Sequence, residues 1–194
     1  MGVESTTQPD WSRLYETAAS QQGLFTTKQA AEAGYSPQLL IHHLHAGKVL
    51  RLQRGIYRLV HFPPGEHEEL VAAWLWSDQA GVISHQTALA LHGLSDALPA
   101  HLHLTLPAVW RRRRFRVPEG VVLHHADVEP AERAWFGAVP ITNPRRTLID
   151  CAHEGLSPEL LRQATLQAIR RGLVGREDIA EVERELAPFG GLGA

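Results

Sequence analysis

Histidine, cysteine and arginine are the side chains through which this chain could do chemistry, and their spacing decides which chemistry is open to it. Twelve histidines occur among 194 residues. His101 and His103 lie two apart in an alternating segment, so they share one face of a predicted strand. His124, on a second predicted strand, would bring a third imidazole toward them, and convergent imidazoles are ligands for zinc. No carboxylate or cysteine accompanies them at a ligand spacing, and neither HExxH nor a paired-cysteine motif occurs. No metal and no cofactor is therefore expected. Cys151, the single cysteine, falls in an apolar helical stripe with Leu148 and Ile149 and reads as a small buried hydrophobe. A nuclease needs clustered acids with a lysine, and residues 63–194 contain no lysine. No glycine loop stands between a strand and a helix to hold phosphate. The expectation is a chain with no catalytic residues that is not an enzyme.

Basic side chains gather in particular places. Residues 23–62 hold Lys28, Lys48, Arg51, Arg54 and Arg58 against the single acid Glu32. Arg111, Arg112, Arg113, Arg114 and Arg116 form a second run, and Arg145 and Arg146 a pair. Between the first two clusters, residues 63–110 lack Lys and Arg altogether and carry five acids. With a formal net charge of −2, the chain is no polycation, so any nucleic-acid binding must be regional. Phosphate contacts are the expected use of a local cationic surplus.

The first cluster is positioned by a helix-turn-helix pattern. Thr26 followed by Gln29 is a capping-box signature opening a short helix over 27–33. Gly34 suits the left-handed end of that helix, and Ser36-Pro37 restarts another with Ser as cap and Pro at the first helical position. After Gly47 the period changes to two, and Arg54-Gly55 turns the chain into a returning strand. A helix over 11–22 supports the unit. Helix, turn, helix and basic ribbon in this order make a winged helix. On the second helix, Pro37, Leu40, Ile41 and Leu44 are assigned to the core face. Gln38, His42, His43 and His45 face outward, as a recognition helix presents them to a major groove. The DNA-binding residues expected are thus Thr27, Lys28, Ser36, Gln38, His42, His43, His45, Lys48, Arg51, Arg54 and Arg58. The Arg111–Arg114 run with Arg116, and Arg145 with Arg146, are candidates for secondary contact with DNA or a partner.

Pro63-Pro64-Gly65 and the change in charge place a domain boundary after Phe62. The fold class expected is α+β: a winged helix-turn-helix domain over 1–62 and a mixed α/β domain over 63–194. In the second domain, helices are expected over 67–79 and 85–92, the latter capped by Ser84. Strand 101–107, with its leucines inward, and strand 121–125 are read as a hairpin whose loop carries the arginine run. A strand over 139–142 precedes helices beginning at Asn143-Pro144 and Ser157-Pro158. A last helix spans 176–186, and the tail after Pro188 is expected to be flexible. The N-terminus lacks the basic and apolar regions of a signal peptide, and no apolar run approaches the ~20 residues of a membrane span. A lone cysteine suits a reducing compartment, so a soluble, cytoplasmic protein is expected.

The stretches GLFTTKQAAEAGYSPQLLIHHLHAGKVLRLQRGIYRL, VISHQTALALHGL, HLHLTLP and VPITNPRRTLIDCA together resemble the AbiEi family of antitoxins from type IV toxin–antitoxin systems. The resemblance covers residues 14–152. It implies a bacterial regulator whose winged helix binds inverted repeats in double-stranded DNA of its own promoter. It also implies a second domain that counteracts a nucleotidyltransferase-like toxin, with no stable complex required. On it, Gln38, His42, His43, Arg51, Arg54 and Arg58 map to the DNA-contacting helix and wing. Two alternatives stand beside it: a winged-helix regulator without a toxin, and a metal-dependent hydrolase on the histidine-bearing strands.

Overall fold

The computed structural model describes residues 8–94 and 99–193. These form two compact units, the first ending at Gln79 and the second beginning at Ala80. The division falls later than the expected boundary after Phe62. The helix that follows the Pro63-Pro64-Gly65 connection packs on the strands of the first unit, and Glu68 on it holds Arg58 at 2.9 Å.

In the first unit, helix α1 (Trp11–Ala19) is capped by Asp10, which accepts from the Arg13 amide. Then follow β1 (Leu24–Thr26), α2 (Thr27–Glu32), α3 (Pro37–His45), β2 (Val49–Gln53), β3 (Ile56–Leu59) and α4 (Glu68–Trp76). The strands form an antiparallel sheet of order β1-β3-β2. Strand β1 was not expected, being three residues long without an alternating pattern. It is held by Leu24 and Phe25, both buried. Leu14, Phe25, Ala30, Tyr35, Leu40, Val49 and Leu59 form one apolar core, so the helix-turn-helix and the ribbon share an interior.

The second unit is built on a five-stranded sheet of order β6-β5-β4-β8-β7. Its strands are β4 (Val82–Ile83), β5 (Leu102–Leu106), β6 (Val121–His125), β7 (Arg133–Phe136) and β8 (Val139–Thr142). Helices α5 (His85–Leu91), α6 (Pro144–His153), α7 (Pro158–Arg170) and α8 (Ala180–Leu186) complete it. The expected hairpin of 101–107 with 121–125 is corrected: β5 and β6 pair in parallel, and parallel neighbours need a crossover of a dozen or more residues. The arginine run lies in that crossover. Strand β5 is also buried on both faces, His103 and Thr105 as well as Leu104 and Leu106, with α5 packed against it and β4 and β6 closing its two edges.

Leu89, Leu94, Leu148, Cys151, Leu161, Ala164, Ile179, Val182 and Leu186 make a core among α5, α6, α7 and α8. Asn143 caps α6 by accepting from the Arg146 amide at 2.8 Å, and Ser157 accepts from the Leu160 amide at the start of α7. The last expected helix divides into a 3-10 turn, Arg176–Ile179, and α8. The tail expected to be flexible is instead pinned: Arg162 donates to the carbonyls of Phe189 and Gly191 at 2.7 and 2.8 Å. Among the described residues, no helix is long and apolar enough to cross a membrane.

Candidate nucleic-acid interface and histidine cluster

Local signals in the sequence build the helix-turn-helix. The Thr26 hydroxyl accepts from the Gln29 amide and the Gln29 side chain accepts from the Thr26 amide, closing the capping box. Gly34, at φ +84°, takes the left-handed conformation that a β-carbon disfavours, and Ser36 accepts from the Leu39 amide to start α3. The wing turn at Arg54-Gly55 is tied back to α2, since the Thr27 amide donates to the Gly55 carbonyl at 2.9 Å.

The face of α3 offered to solvent differs from the one expected. Ile41, assigned to the core, is 50% exposed, whereas His43, assigned outward, is half-buried. Its ring lies 5.5 Å from that of Tyr35 and 6.1 Å from that of Trp11. Burial, then the charges of Lys48 and His42, lower its pKa. The rings of Trp11, Tyr35 and His43 form a three-ring cluster, so position 43 faces inward and position 41 outward. Pro37 is exposed and Leu44 only half-buried. Gln38, Ile41, His42 and His45 therefore form the exposed stripe, spaced i, i+3, i+4, i+7 on one face.

Of the basic residues beside this stripe, Lys48, Arg51 and Arg54 are exposed. Ser36 and Thr27 are exposed as well. Lys28 stands 3.5 Å from Asp78 with both side chains about two-thirds in solvent, a contact that holds little. Arg58 is different. Its guanidinium meets both Glu68 carboxylate oxygens at 2.9 and 3.2 Å and is only 15% exposed, so it joins β3 to α4.

In the second unit the arginines also divide. Arg113 lies 4.3 Å over the Trp110 ring, Arg111 donates to the His125 carbonyl, and Arg112, Arg114 and Arg116 are exposed. Arg145 is 3.9 Å from Asp178 across partly exposed surface. Arg146 is locked between two carboxylates, at 2.7 Å from Glu132 and 2.8 Å from Asp150. Burial alone would lower its pKa, and the two carboxylates more than offset that. The Asp150 pKa is nonetheless raised, burial outweighing Arg146. The Glu132 charge adds to the burial effect on Asp150, and the short contacts mark the ion pair as the formed state.

The sheet also assembles histidines that the linear pattern did not join. Register places Thr105 opposite His124, so His103, two residues earlier on β5, shares that face. The third imidazole is not His101, which is exposed, but His85 at the start of α5. Ligand nitrogens of His85, His103 and His124 all lie within 4.8 Å of one another. His103 Nδ1 is 2.9 Å from His124 Nε2, and the His85 ring stacks on that of His124 with centroids 3.5 Å apart. His85 has φ +51°, a left-handed conformation that costs a non-glycine residue about 1–3 kcal/mol. Ser84 takes the cap position of α5, yet its hydroxyl is used elsewhere: it bonds His85 Nδ1 at 2.9 Å and accepts from Thr105 at 2.7 Å. A carboxylate does accompany the imidazoles, contrary to expectation. Glu154, at the end of α6, stands 3.7 Å from both His103 Nδ1 and His124 Nε2.

Burial, then neighbouring positive groups, push the His85 pKa down to about 3 and that of His124 to about 4. Burial, then Asp150, raises that of Glu154. At neutral pH the cluster therefore holds neutral imidazoles rather than ion pairs. Nothing in the spacing linked His85, which lies in the family-like segment VISHQTALALHGL, to this cluster, since it stands 18 residues from His103 and meets it only in the folded chain.

A family model described as a transcriptional regulator, AbiEi antitoxin, matches residues 12–60, and one described as the AbiEi antitoxin C-terminal domain matches residues 79–190. The second match begins where the compact units divide. Among solved structures, the crystal structure of RV2827C protein from Mycobacterium tuberculosis is similar, with 18% identity, 93% of this chain and 77% of that chain covered, and a TM-score of 0.45. No curated protein matches.

Proposed function

The chain belongs to the AbiEi antitoxin family, and on that basis we propose that it is a DNA-binding antitoxin and autorepressor acting in the bacterial cytoplasm. Its first unit binds inverted repeats in the promoter of its own operon. Its second unit counters a nucleotidyltransferase-like toxin without needing a stable complex, and it acts by binding rather than by catalysis.

The observation that supports this most is the exposed stripe Gln38, Ile41, His42 and His45 on a helix packed against a wing that exposes Arg51 and Arg54. Gln pairs with adenine edges, His donates to guanine or phosphate, and an apolar side chain meets the thymine methyl. The wing cations take phosphate and fix the register without reading sequence. Arg58 and Arg146 are held by carboxylates within the protein whereas Arg112, Arg114 and Arg116 are exposed, so secondary contact to DNA or toxin falls to the latter.

Two experiments in cells test the proposal. A reporter driven by the DNA upstream of the chain's own gene falls in output when the protein is supplied, and recovers with Arg51→Ala/Arg54→Ala. Co-expression with a neighbouring nucleotidyltransferase-like gene restores growth that the toxin alone arrests. An unchanged reporter overturns autorepression, and unrelieved arrest overturns the antitoxin role.

A further inference from the structure

We propose that His85, His103 and His124, with the carboxylate of Glu154 beside them, form a binding site for a divalent transition metal of the zinc class. The donors come from separate elements: the start of α5, β5, β6 and the end of α6. Chance histidines on a solvated strand face do not converge in this way, and here two of the three are buried.

The surroundings match what a metal site requires beyond its ligands. A ligating imidazole is oriented by a bond to its other nitrogen. Ser84 provides this for His85 Nδ1, and Thr105 holds Ser84 in turn, which leaves His85 Nε2 for the ion. Thr87 clips α5 to β5 by accepting from the His103 amide at 2.9 Å, so the helix carrying one donor is fixed to the strand carrying another. The left-handed backbone at His85 is sustained at the point where its ring enters the cluster.

Two adjustments accompany loading. Nitrogens about 2.0–2.1 Å from one tetrahedral zinc lie about 3.3 Å apart, so the His103–His124 pair, now 2.9 Å apart, opens by a few tenths of an ångström. The stacked His85 ring turns its edge toward the ion about a terminal torsion whose energy wells are broad. Glu154 closes the set as an oxygen ligand from 3.7 Å. Three imidazoles and one carboxylate favour zinc, cobalt or nickel over magnesium or calcium, which select oxygen. The ion would tie α5, the β5–β6 pair and α6 together.

The test uses full-length protein without a histidine tag, stripped by chelator and titrated with zinc chloride alone by calorimetry, and with cobalt chloride by visible absorption. One ion per chain is expected, with a tetrahedral cobalt spectrum that zinc abolishes. His124→Asn should weaken zinc by more than about tenfold, the scale on which metal sites respond to loss of supporting groups. His101→Asn, beside the cluster but outside it, should bind as the parent does. His124 is only half-buried, so its variant is the one to make first, and the cobalt spectrum of the parent needs no variant. Substoichiometric binding, an octahedral cobalt spectrum, or equal affinity of His124→Asn and the parent would overturn the site.

Discussion

Replacing Arg146 by Met removes one cation from between two carboxylates and leaves the rest of the site in place. Arg146 is 15% exposed, Asp150 11% and Glu132 24%. Asp150 Oδ2 already has no hydrogen-bond partner. Removing one partner of a buried ion pair typically costs about 3–5 kcal/mol, because the remaining charge stays buried and uncompensated. Here Glu132 can turn toward water while Asp150 cannot, so Asp150 carries most of that penalty. A loss of about 3–5 kcal/mol at pH 7 is expected, read as a lower urea midpoint with an unchanged slope.

The deficit should shrink on acidification. In the variant, the folded-state pKa of Asp150 lies further above its unfolded value, so the folded protein binds the proton more readily and gains stability as pH falls. Adding Asp150→Asn removes the orphaned charge and should recover most of the loss, as replacing both members of a buried pair often does. A single variant within about 1 kcal/mol of the parent, or a double variant no more stable than the single, would refute this description of Arg146. Either result would return Arg146 to the residues free for a partner.

Arg54→Ala should weaken binding similarly on all DNA sequences and reduce the salt slope by about 1, whereas Gln38→Ala or His42→Ala should cost about 1–3 kcal/mol selectively and change base preference; competition titrations distinguish them. Arg58→Ala should lower the thermal midpoint more than it lowers DNA affinity, because its partner is Glu68. In chelator, stability should fall as pH drops from about 6.5 toward about 4. The unfolded chain takes up protons that His85, held to about 3, and His124, held to about 4, refuse when folded. Urea midpoints independent of pH across that window would contradict the burial of these rings.

Features written in neighbouring residues were legible in the sequence. The Thr26–Gln29 box, Ser36-Pro37, Asn143-Pro144 and Ser157-Pro158 each closed a cap where expected, since a cap needs only a few consecutive residues. Decisions made by distant partners were not legible. Hydrophobicity assigned Ile41 inward, but the His43 ring packed with those of Trp11 and Tyr35 instead. Charge assigned Arg58 to phosphate, but Glu68 on α4 claimed it. Alternation identified β5, yet could not say that its neighbour runs parallel or that both its faces are covered. For the same reason His101, with the right spacing, stays outside the cluster that His85 joins. The pinned tail depended on Arg162 of α7, a contact invisible in the glycine-rich segment itself.

Fluorescence anisotropy measures whether the first unit reads DNA. The purified protein is titrated onto labelled DNA from upstream of its own gene and onto scrambled DNA of the same composition, over a range of salt concentrations. Tighter binding to the upstream fragment near about 0.15 M salt, by about a thousandfold or more, with affinity falling as salt rises, is the result expected. Equal affinity for both fragments, or no binding at that salt, would contradict the claim and make the exposed helix face a docking surface for protein.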